Sequence, residues 1–417
     1  MLRAPLALLA VVGSFGCFSS PPPVQVDHDT ESPTGTSGDA GSSTGTVQTT
    51  GTDASASERA RTWGVFVPLY ALHSERSAGV GDLTDLRHVI DWVGDRGGSV
   101  VGTLPLLAAF LDDPFEPSPY APVSRLAWNE IYLDPAALPE VREVASSSAK
   151  WQQVALANRR AMAKGDFVDF AAVMASKRTI LEAAAQRCFE AGGRRCDALE
   201  AFRRARPEID AYARFRAVGE RLRCSWPQWP ERLRAGQIDE RDFEPRAYRH
   251  HLYAQWNVHE QLLELSTRAR ATGLGLYLDL PIGVHAHGFD TWREPEAFVG
   301  GLSTGAPPDT LFAGGQNWAF PPLHPTRLRD GHYRHLIAVL RNHLRYAGVL
   351  RIDHVMGLHR LYVIPDGAPA TEGVYIRQRP DELYAILSIE SHRAKAVLIG
   401  ENLGTVPPAV QHAMDTH

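Results

Sequence analysis

From Trp63 onward the chain alternates short apolar runs with stretches whose apolar residues recur every three or four positions. Residues 63–70 (WGVFVPLY), 98–105 (GSVVGTLP), 274–279 (LGLYLD), 348–353 (GVLRID) and 396–401 (AVLIGE) are the runs. Near-continuous apolarity, rather than alternation, predicts strands buried on both faces, as in parallel sheets. Between the runs, Gly81-Asp82 opens a stretch with Leu83, Leu86, Val89, Ile90 and Val93 on one helical face. Residues 255–271 and 332–346 repeat the helical period, and His332, His335 and His343 along the latter read as surface positions. Repeated βα units point to a doubly wound sheet or a (β/α)8 barrel. Asp279, Asp353 and Glu401 each end an apolar run. A barrel gathers several strand ends around one site at that face. No glycine-rich phosphate loop follows the first run, as a dinucleotide fold requires. The pattern therefore predicts an α/β chain with a (β/α)8 barrel.

Residues from about 136 to about 249 separate the second and third runs and read mostly as helix, with Phe167, Phe170, Val173, Met174 and Leu181 at helical spacing. Such residues predict a helical insertion that packs on itself. Trp226-Pro-Gln-Trp229-Pro within it reads as a rigid packed turn. Cys188, Cys196 and Cys224 also lie here, without zinc-ribbon spacing. They read as buried or surface thiols, and a Cys188–Cys196 bridge stays open because it depends on export.

The first sixty residues follow another rule. Arg3 precedes an apolar run over 6–12 and then small residues up to Cys17, the layout of a secretory signal. A cysteine after a small residue also suggests lipidation of Cys17, although Ser14 stands where such a motif usually carries leucine. Residues 18–60 are rich in Ser, Thr, Gly and Pro, and no Lys or Arg occurs between Arg3 and Arg59. Too little apolar surface is available there to offset chain entropy, so a disordered tether to a membrane is expected. The rest, residues 61–417, reads as the barrel portion of the chain. Overall, hydrophobic residues are 44% and charged residues 22%, which excludes a wholly disordered or fibrous chain. The net charge of −5 gives no basic footprint, so nucleic acid is not expected as a partner.

The candidate chemistry lies in the carboxylates. Arg351 and Asp353 stand two apart on a strand and face the same side. A guanidinium there favours the ionised carboxylate and fixes its oxygens, as a carboxylate nucleophile requires. Glu401 ends the next run. Two carboxyls about 5–5.5 Å apart support retaining glycoside chemistry through a covalent intermediate. A purely structural Arg351–Asp353 ion pair is the alternative. Ser118-Pro-Tyr120 and Gly314-Gly-Gln316-Asn317-Trp318 add aromatic and amide groups in loops, which suit sugar faces and hydroxyls but also serve loop packing. His285-Ala-His287 has the spacing of a ligand pair, but no Cys or acidic partner matches it, and no metal is expected.

Seven segments in order carry a resemblance: WGVFVPLYALHSERSAGVGDL, SPYAPVSRLAWNEIYLDP, WPQWPERLR, LDLPIGVHAHGFDTW, GAPPDTLFAGGQNWAFPPLHP, LRIDHVMGLHRLYVIP and IGENLGTVPP. From about Trp63 to its last residues the chain resembles the bacterial amylomaltases, the 4-α-glucanotransferases also called disproportionating enzymes. The resemblance implies a (β/α)8 barrel of the α-amylase clan with helical insertions. It implies transfer of α-1,4-glucan segments between maltooligosaccharides, with no metal or organic cofactor. It assigns Asp353 as nucleophile, Glu401 as general acid/base and Arg351 as the residue that orients the nucleophile. Tyr120, Asp279, Gln316, Asn317, Trp318 and His354 are expected to contact sugar. Asn402 replaces an Asp common in the family and is expected to matter little, because it points away from Glu401. A third carboxylate of the family, in a His-Asp motif after a later strand, has no counterpart before Met414-Asp-Thr-His417. About five of eight strands are thus expected, in a fragment or a frameshifted or degenerate product. The alternative is a tethered, non-catalytic glucan-binding protein. Residues 61–417 alone are expected to fold poorly and to lack turnover, unless another carboxylate such as Asp279 fills the third role. Members of the family are usually cytoplasmic, the expected location if the signal-like segment is not one.

Overall fold

The computed structural model describes residues 62–143, 167–404 and 406–416, with a few helical positions between 149 and 157. The signal-like run, Cys17 and the 18–60 segment lie outside the described residues. Five strands, β1 (Gly64–Phe66), β2 (Val100–Gly102), β3 (Gly275–Leu280), β4 (Val349–Ile352) and β5 (Val397–Gly400), form one sheet in that order. Every neighbouring pair is parallel. Spatial order follows chain order with no reversal. A doubly wound sheet reverses at its switch point, whereas a barrel does not, so this is the strand order of a (β/α)8 barrel.

Local sequence explains the first unit. The Asp82 side chain accepts from the Thr84 and Asp85 amides while Asp85 accepts from the Asp82 amide, a reciprocal box that starts helix α1 (Leu83–Gly94). Leu83, Leu86, Ile90 and Val93 then turn inward and are buried. They belong to the same core as Val101, Leu276, Leu278, Leu350 and Ile352 from the strands. The opposite face of the sheet is more open than continuous apolarity predicts. Phe66 is 43% exposed, and Tyr277 and Arg351 are half-buried on that side. Phe66 and Tyr277 meet edge to face at 6.1 Å across Gly102, where a Cβ would come within 2.9 Å of the Phe66 ring. The expectation of two fully buried faces is corrected accordingly. The runs are apolar on one side for the helices, while the other side also holds polar and aromatic groups.

Between β2 and β3 stand helices α2 (Phe170–Ala191), α3 (Gly193–Ala205), α4 (Pro207–Leu222) and α5 (Pro245–Ala271). Val173, Met174 and Leu181 are buried in α2, but Phe167 precedes the helix and is 90% exposed. Trp229 packs with Phe215 and Trp292, and Trp226 Nε1 donates to Thr291 Oγ1 at 3.3 Å, so the tryptophan–proline turn joins these helices to the segment after β3. Cys188, Cys196 and Cys224 are free thiols.

Further along the chain come helices α6 (Arg334–Leu344), α7 (Pro380–Ala394) and α8 (Pro408–Thr416). His335 and His343 on α6 are buried, contrary to the surface reading. The His343 ring packs on Trp128 at 5.3 Å, and His335 Nε2 lies 3.6 Å from Asp290, because α6 is covered by the 124–128 segment as well as by the sheet. A second, antiparallel sheet runs Val374–Arg377, Arg360–Pro365, Leu302–Ala306, Gln316–Asn317. The sequence pattern reads Gln316 and Asn317 as loop. Two residues are too short for any period, and the 307–315 loop that joins them to their partner, Leu302–Ala306, carries no strand pattern.

Candidate functional site

Register brings three strand ends level. Asp279 on β3 and Ile399 on β5 both lie opposite Arg351 on β4. Asp279, Arg351 and Ile399 therefore share one face, and Asp353 and Glu401, two residues further on, continue it. The Asp353 amide donates to the Leu280 carbonyl at 3.1 Å and the Glu401 amide to the Ile352 carbonyl at 3.0 Å, so the ladder extends to both carboxylates.

The Arg351 guanidinium is the centre of the group. Nη1 donates to Asp279 Oδ1 at 2.6 Å, and Nη2 lies 3.0 Å from Asp353 Oδ1 and 4.0 Å from Glu401 Oε2. Burial opposes the charge on Arg351, but Asp279 and Asp353 outweigh it and its pKa is raised. Asp279 is buried and is pushed up to about 6 by that burial, with Arg351 opposing and Asp353 adding to the rise. Tyr120 donates its hydroxyl to Asp279 Oδ2 at 3.2 Å, and burial together with Asp279 raises the phenol.

Glu401 is held by backbone. Its Oε2 accepts from the His354 amide at 2.8 Å and its Oε1 from the Leu403 amide at 3.0 Å. The Val355 amide donates to the Glu401 carbonyl at 2.9 Å. His354 adopts the left-handed conformation, φ 51° and ψ 63°, which turns these two successive amides toward Glu401. Such strain in a non-glycine residue is concentrated at functional sites. Burial first, and Asp353 second, raise the Glu401 pKa against the two amide donors and Arg351. Burial lowers the His354 imidazole.

The second sheet delivers the aromatic residue. Gly305 on Leu302–Ala306 pairs with Asn317. A Cβ on Gly305 would lie 2.1 Å from the Gln316 carbonyl, so only glycine admits that pairing. Trp318 then packs edge-on against His354 at 5.2 Å and stacks on Phe320 at 5.9 Å, while its Nε1 donates to Gln316 Oε1 at 3.3 Å. Of the residues expected from the sequence, Asp353, Glu401, Arg351, Asp279 and Tyr120 are joined by ion pairs and hydrogen bonds, and His354, Trp318 and Gln316 extend the group. Asn317 stands apart: it is exposed and its Oδ1 accepts from the Ala319 amide at 2.9 Å, shaping the turn. The His285 ring packs edge-on against Phe110 at 5.1 Å and lies 5.9 Å from the His287 ring, and burial pushes His285 down to about 4.

A protein-family model described as 4-alpha-glucanotransferase matches residues 67–417. The chain belongs to this family. It is 38% identical over 365 residues to the 4-alpha-glucanotransferase of Mycobacterium tuberculosis, covering 84% of this chain and 50% of that one. It is 34% identical over 375 residues to the 4-alpha-glucanotransferase of Haemophilus influenzae, with 85% and 54% covered. The chain thus spans about half the length of these curated relatives. Among solved structures it is similar to the amylomaltase of Corynebacterium glutamicum, with a TM-score of 0.74, 32% identity, and 84% of this chain and 49% of that one covered. The amylomaltase of Streptococcus agalactiae in complex with acarbose shares the fold, with a TM-score of 0.73 at 22% identity, and 85% and 71% covered. The fold is accordingly that of the amylomaltase barrel, with five of its parallel strands in the described residues.

The sequence pattern missed one layer of this candidate site. The Ile282 amide lies 3.4 Å from Asp353 Oδ2, and the Ile282 carbonyl accepts from Arg125 Nη1 at 3.0 Å. Arg125 is itself buried beside Asp290, which accepts from the Arg125 amide at 3.0 Å and from Ser124 Oγ at 2.6 Å. A lone arginine in an apolar stretch was the available signal, since burial of such a charge requires a partner.

Proposed function

We propose, against the expectation that residues 61–417 lack turnover, that the chain transfers α-1,4-glucan segments between maltooligosaccharides by a retaining double displacement, with Asp353 as nucleophile, Glu401 as acid and base, and Arg351 orienting the nucleophile. The observation that carries this is the Arg351 guanidinium set among carboxylates from three adjoining strand ends. Asp353 Oδ1 and Glu401 Oε2 approach the same nitrogen and so lie within about 7 Å of each other, which admits the carboxyl spacing of retaining enzymes. In the first step Asp353 attacks the anomeric carbon, the glycosidic bond breaks, and Glu401 gives its proton to the departing 4-oxygen. In the second step Glu401 removes the proton from an acceptor 4-hydroxyl, which displaces Asp353. A raised pKa keeps Glu401 protonated to higher pH, as the first step needs. Trp318 offers an apolar face to a sugar ring, and Tyr120, Gln316, Asp279 and His354 offer hydrogen-bonding groups around it. Asn317 would act through its main chain.

The experiment is covalent trapping. The chain is incubated with an activated maltosyl fluoride, quenched and digested, and the adduct is located by mass spectrometry. A glycosyl ester on the peptide containing Asp353, absent from Asp353→Asn, is expected, because a carboxamide cannot form the ester. An adduct elsewhere would overturn the nucleophile assignment. Absence of any adduct, together with no glucose release from maltotriose and no acarbose binding, would overturn the activity. We also propose that Cys17 carries lipid and tethers the chain through residues 18–60. Intact mass and detergent partitioning of Cys17→Ser test that separately.

A further inference from the structure

We propose that Glu130, His250 and His251 bind one divalent transition-metal ion, zinc by donor chemistry, as a structural clip outside the glucan site. Glu130 begins a single turn, Glu130–Tyr132, that follows the Tyr120 segment, and the two histidines lie on α5. All three are buried, at 5%, 0% and 1% exposure, and one donor atom from each lies within 4.8 Å of the others.

Their hydrogen bonding is unfinished in a telling way. Neither His250 Nδ1 nor His250 Nε2 has a partner, and Glu130 Oε2 has none. Buried polar atoms are nearly always paired, and an unpaired one costs about 1–3 kcal/mol. His251 is arranged differently. Its Nε2 lies 2.5 Å from Glu220 Oε1, and its Nδ1 faces Glu130 Oε1 at 3.9 Å. A carboxylate on the far nitrogen of an imidazole fixes the tautomer and turns the other nitrogen's lone pair toward a metal. Nearby cations are engaged elsewhere. Arg178 donates to Glu182 and twice to Glu220, and Arg216 donates to Tyr212 and Asp112. Arg216 feels the Glu130 charge but makes no hydrogen bond to it.

A protonated His251 bridging Glu220 and Glu130 is the competing arrangement, and it leaves both nitrogens of His250 unpartnered. A cation accepts a lone pair from each of the three residues at once. Two imidazole nitrogens and one carboxylate oxygen suit zinc, with contraction to about 2.0–2.2 Å and a water as fourth ligand. The clip would join the Glu130 turn to α5, and α5 to α4 through Glu220.

The test needs no carbohydrate, so its result is independent of the proposed activity. The full chain, without a polyhistidine tag, is purified from zinc-supplemented culture and its metal content is measured by plasma mass spectrometry. Roughly one equivalent of zinc per chain is expected, falling about tenfold or more in His250→Phe and in Glu130→Gln. Circular dichroism checks that the variants fold. Should they not, the wild-type chain refolded with cobalt decides, since a tetrahedral site gives intense ligand-field absorption. Zinc far below one equivalent with no such absorption would overturn the proposal and assign the cluster to ordered water or an imidazolium. Zinc content unchanged in folded variants would overturn it as well.

Discussion

Replacing Arg351 with Met isolates the electrostatics of the strand-end cluster. The substitution removes the guanidinium that lies 2.6 Å from Asp279 and 3.0 Å from Asp353 while keeping most of the side-chain volume. In the wild-type protein Asp279 has its pKa at about 6 even though Arg351 pulls it down, so without Arg351 it rises further. Arg351 also opposes the rise at Glu401, whose shift then grows in the same sense. The sign follows from proton binding. A carboxyl whose folded pKa exceeds its unfolded value, near 3.9, binds more protons in the native state, so stability falls as pH rises between the two values. For wild type, the Asp279 share of that fall ends near pH 6. For Arg351→Met it continues upward. Below about pH 6 the two proteins therefore differ by a nearly constant amount, the lost hydrogen bonds. Above it the gap widens by about 1.4 kcal/mol per pH unit until the variant's own pKa is reached. Leaving buried charge without its partner costs about 3–5 kcal/mol, so a gap of that order is expected at pH 8. Urea unfolding of both proteins at pH 5.5, 6.5, 7.5 and 8 measures it. A gap that stays flat across this range, or narrows with rising pH, would refute the reasoning and place the stabilising role of Arg351 in packing.

The remaining predictions concern the ligand. Glu401→Gln should slow transfer from maltotriose far more than from maltosyl fluoride, whose leaving group needs no proton. Equal losses on both donors would remove Glu401 as the acid. Trp318→Ala should weaken maltooligosaccharide binding about 5–30-fold by calorimetry, the equivalent of about 1–2 kcal/mol of stacking, with little change in melting temperature. A large thermal loss with unchanged binding would instead make Trp318 a packing residue for Phe320 and His354. Gly305→Ala should cost about 1–3 kcal/mol, because its Cβ would meet the Gln316 carbonyl at 2.1 Å, and should weaken binding through displacement of Trp318. Wild-type affinity in a folded Gly305→Ala protein would show that the second sheet does not position that ring.

The acidic strand ends are legible because each terminates a near-continuous apolar run, and the two-residue period of a strand places Arg351 and Asp353 on one side. For Asp279 the sequence suggests sugar contact or a stand-in for the third carboxylate, but not a partnership with Arg351. Its pairing with Arg351 spans 72 positions and depends on the β3–β4 register, which no local pattern encodes. The same limit hid the Arg125–Ile282–Asp353 connection, 157 positions apart at its first link. His335 and His343 were misplaced for a related reason. Helical period identifies the apolar stripe of α6, but a second layer over its other side, here Arg125 and Trp128, buries polar residues too.

These misses share a physical origin that bears on how the site is built. Local sequence fixes which side of a strand a residue faces, while the charge state of that residue depends on what the neighbouring strands bring level with it. Arg351 is one guanidinium between β3 and β5, so a one-residue slip of either strand would turn Asp279 or Glu401 to the opposite face. The register is held by apolar pairs on the other face, Leu278 with Leu350 and Leu350 with Leu398. The helix-covered side of the sheet, which contributes no chemistry, thus sets the electrostatics of the side that does. A cavity-making change at Leu350 would be expected to disturb the Asp279 pKa as well as lower stability, because register and charge pairing are held by the same contacts.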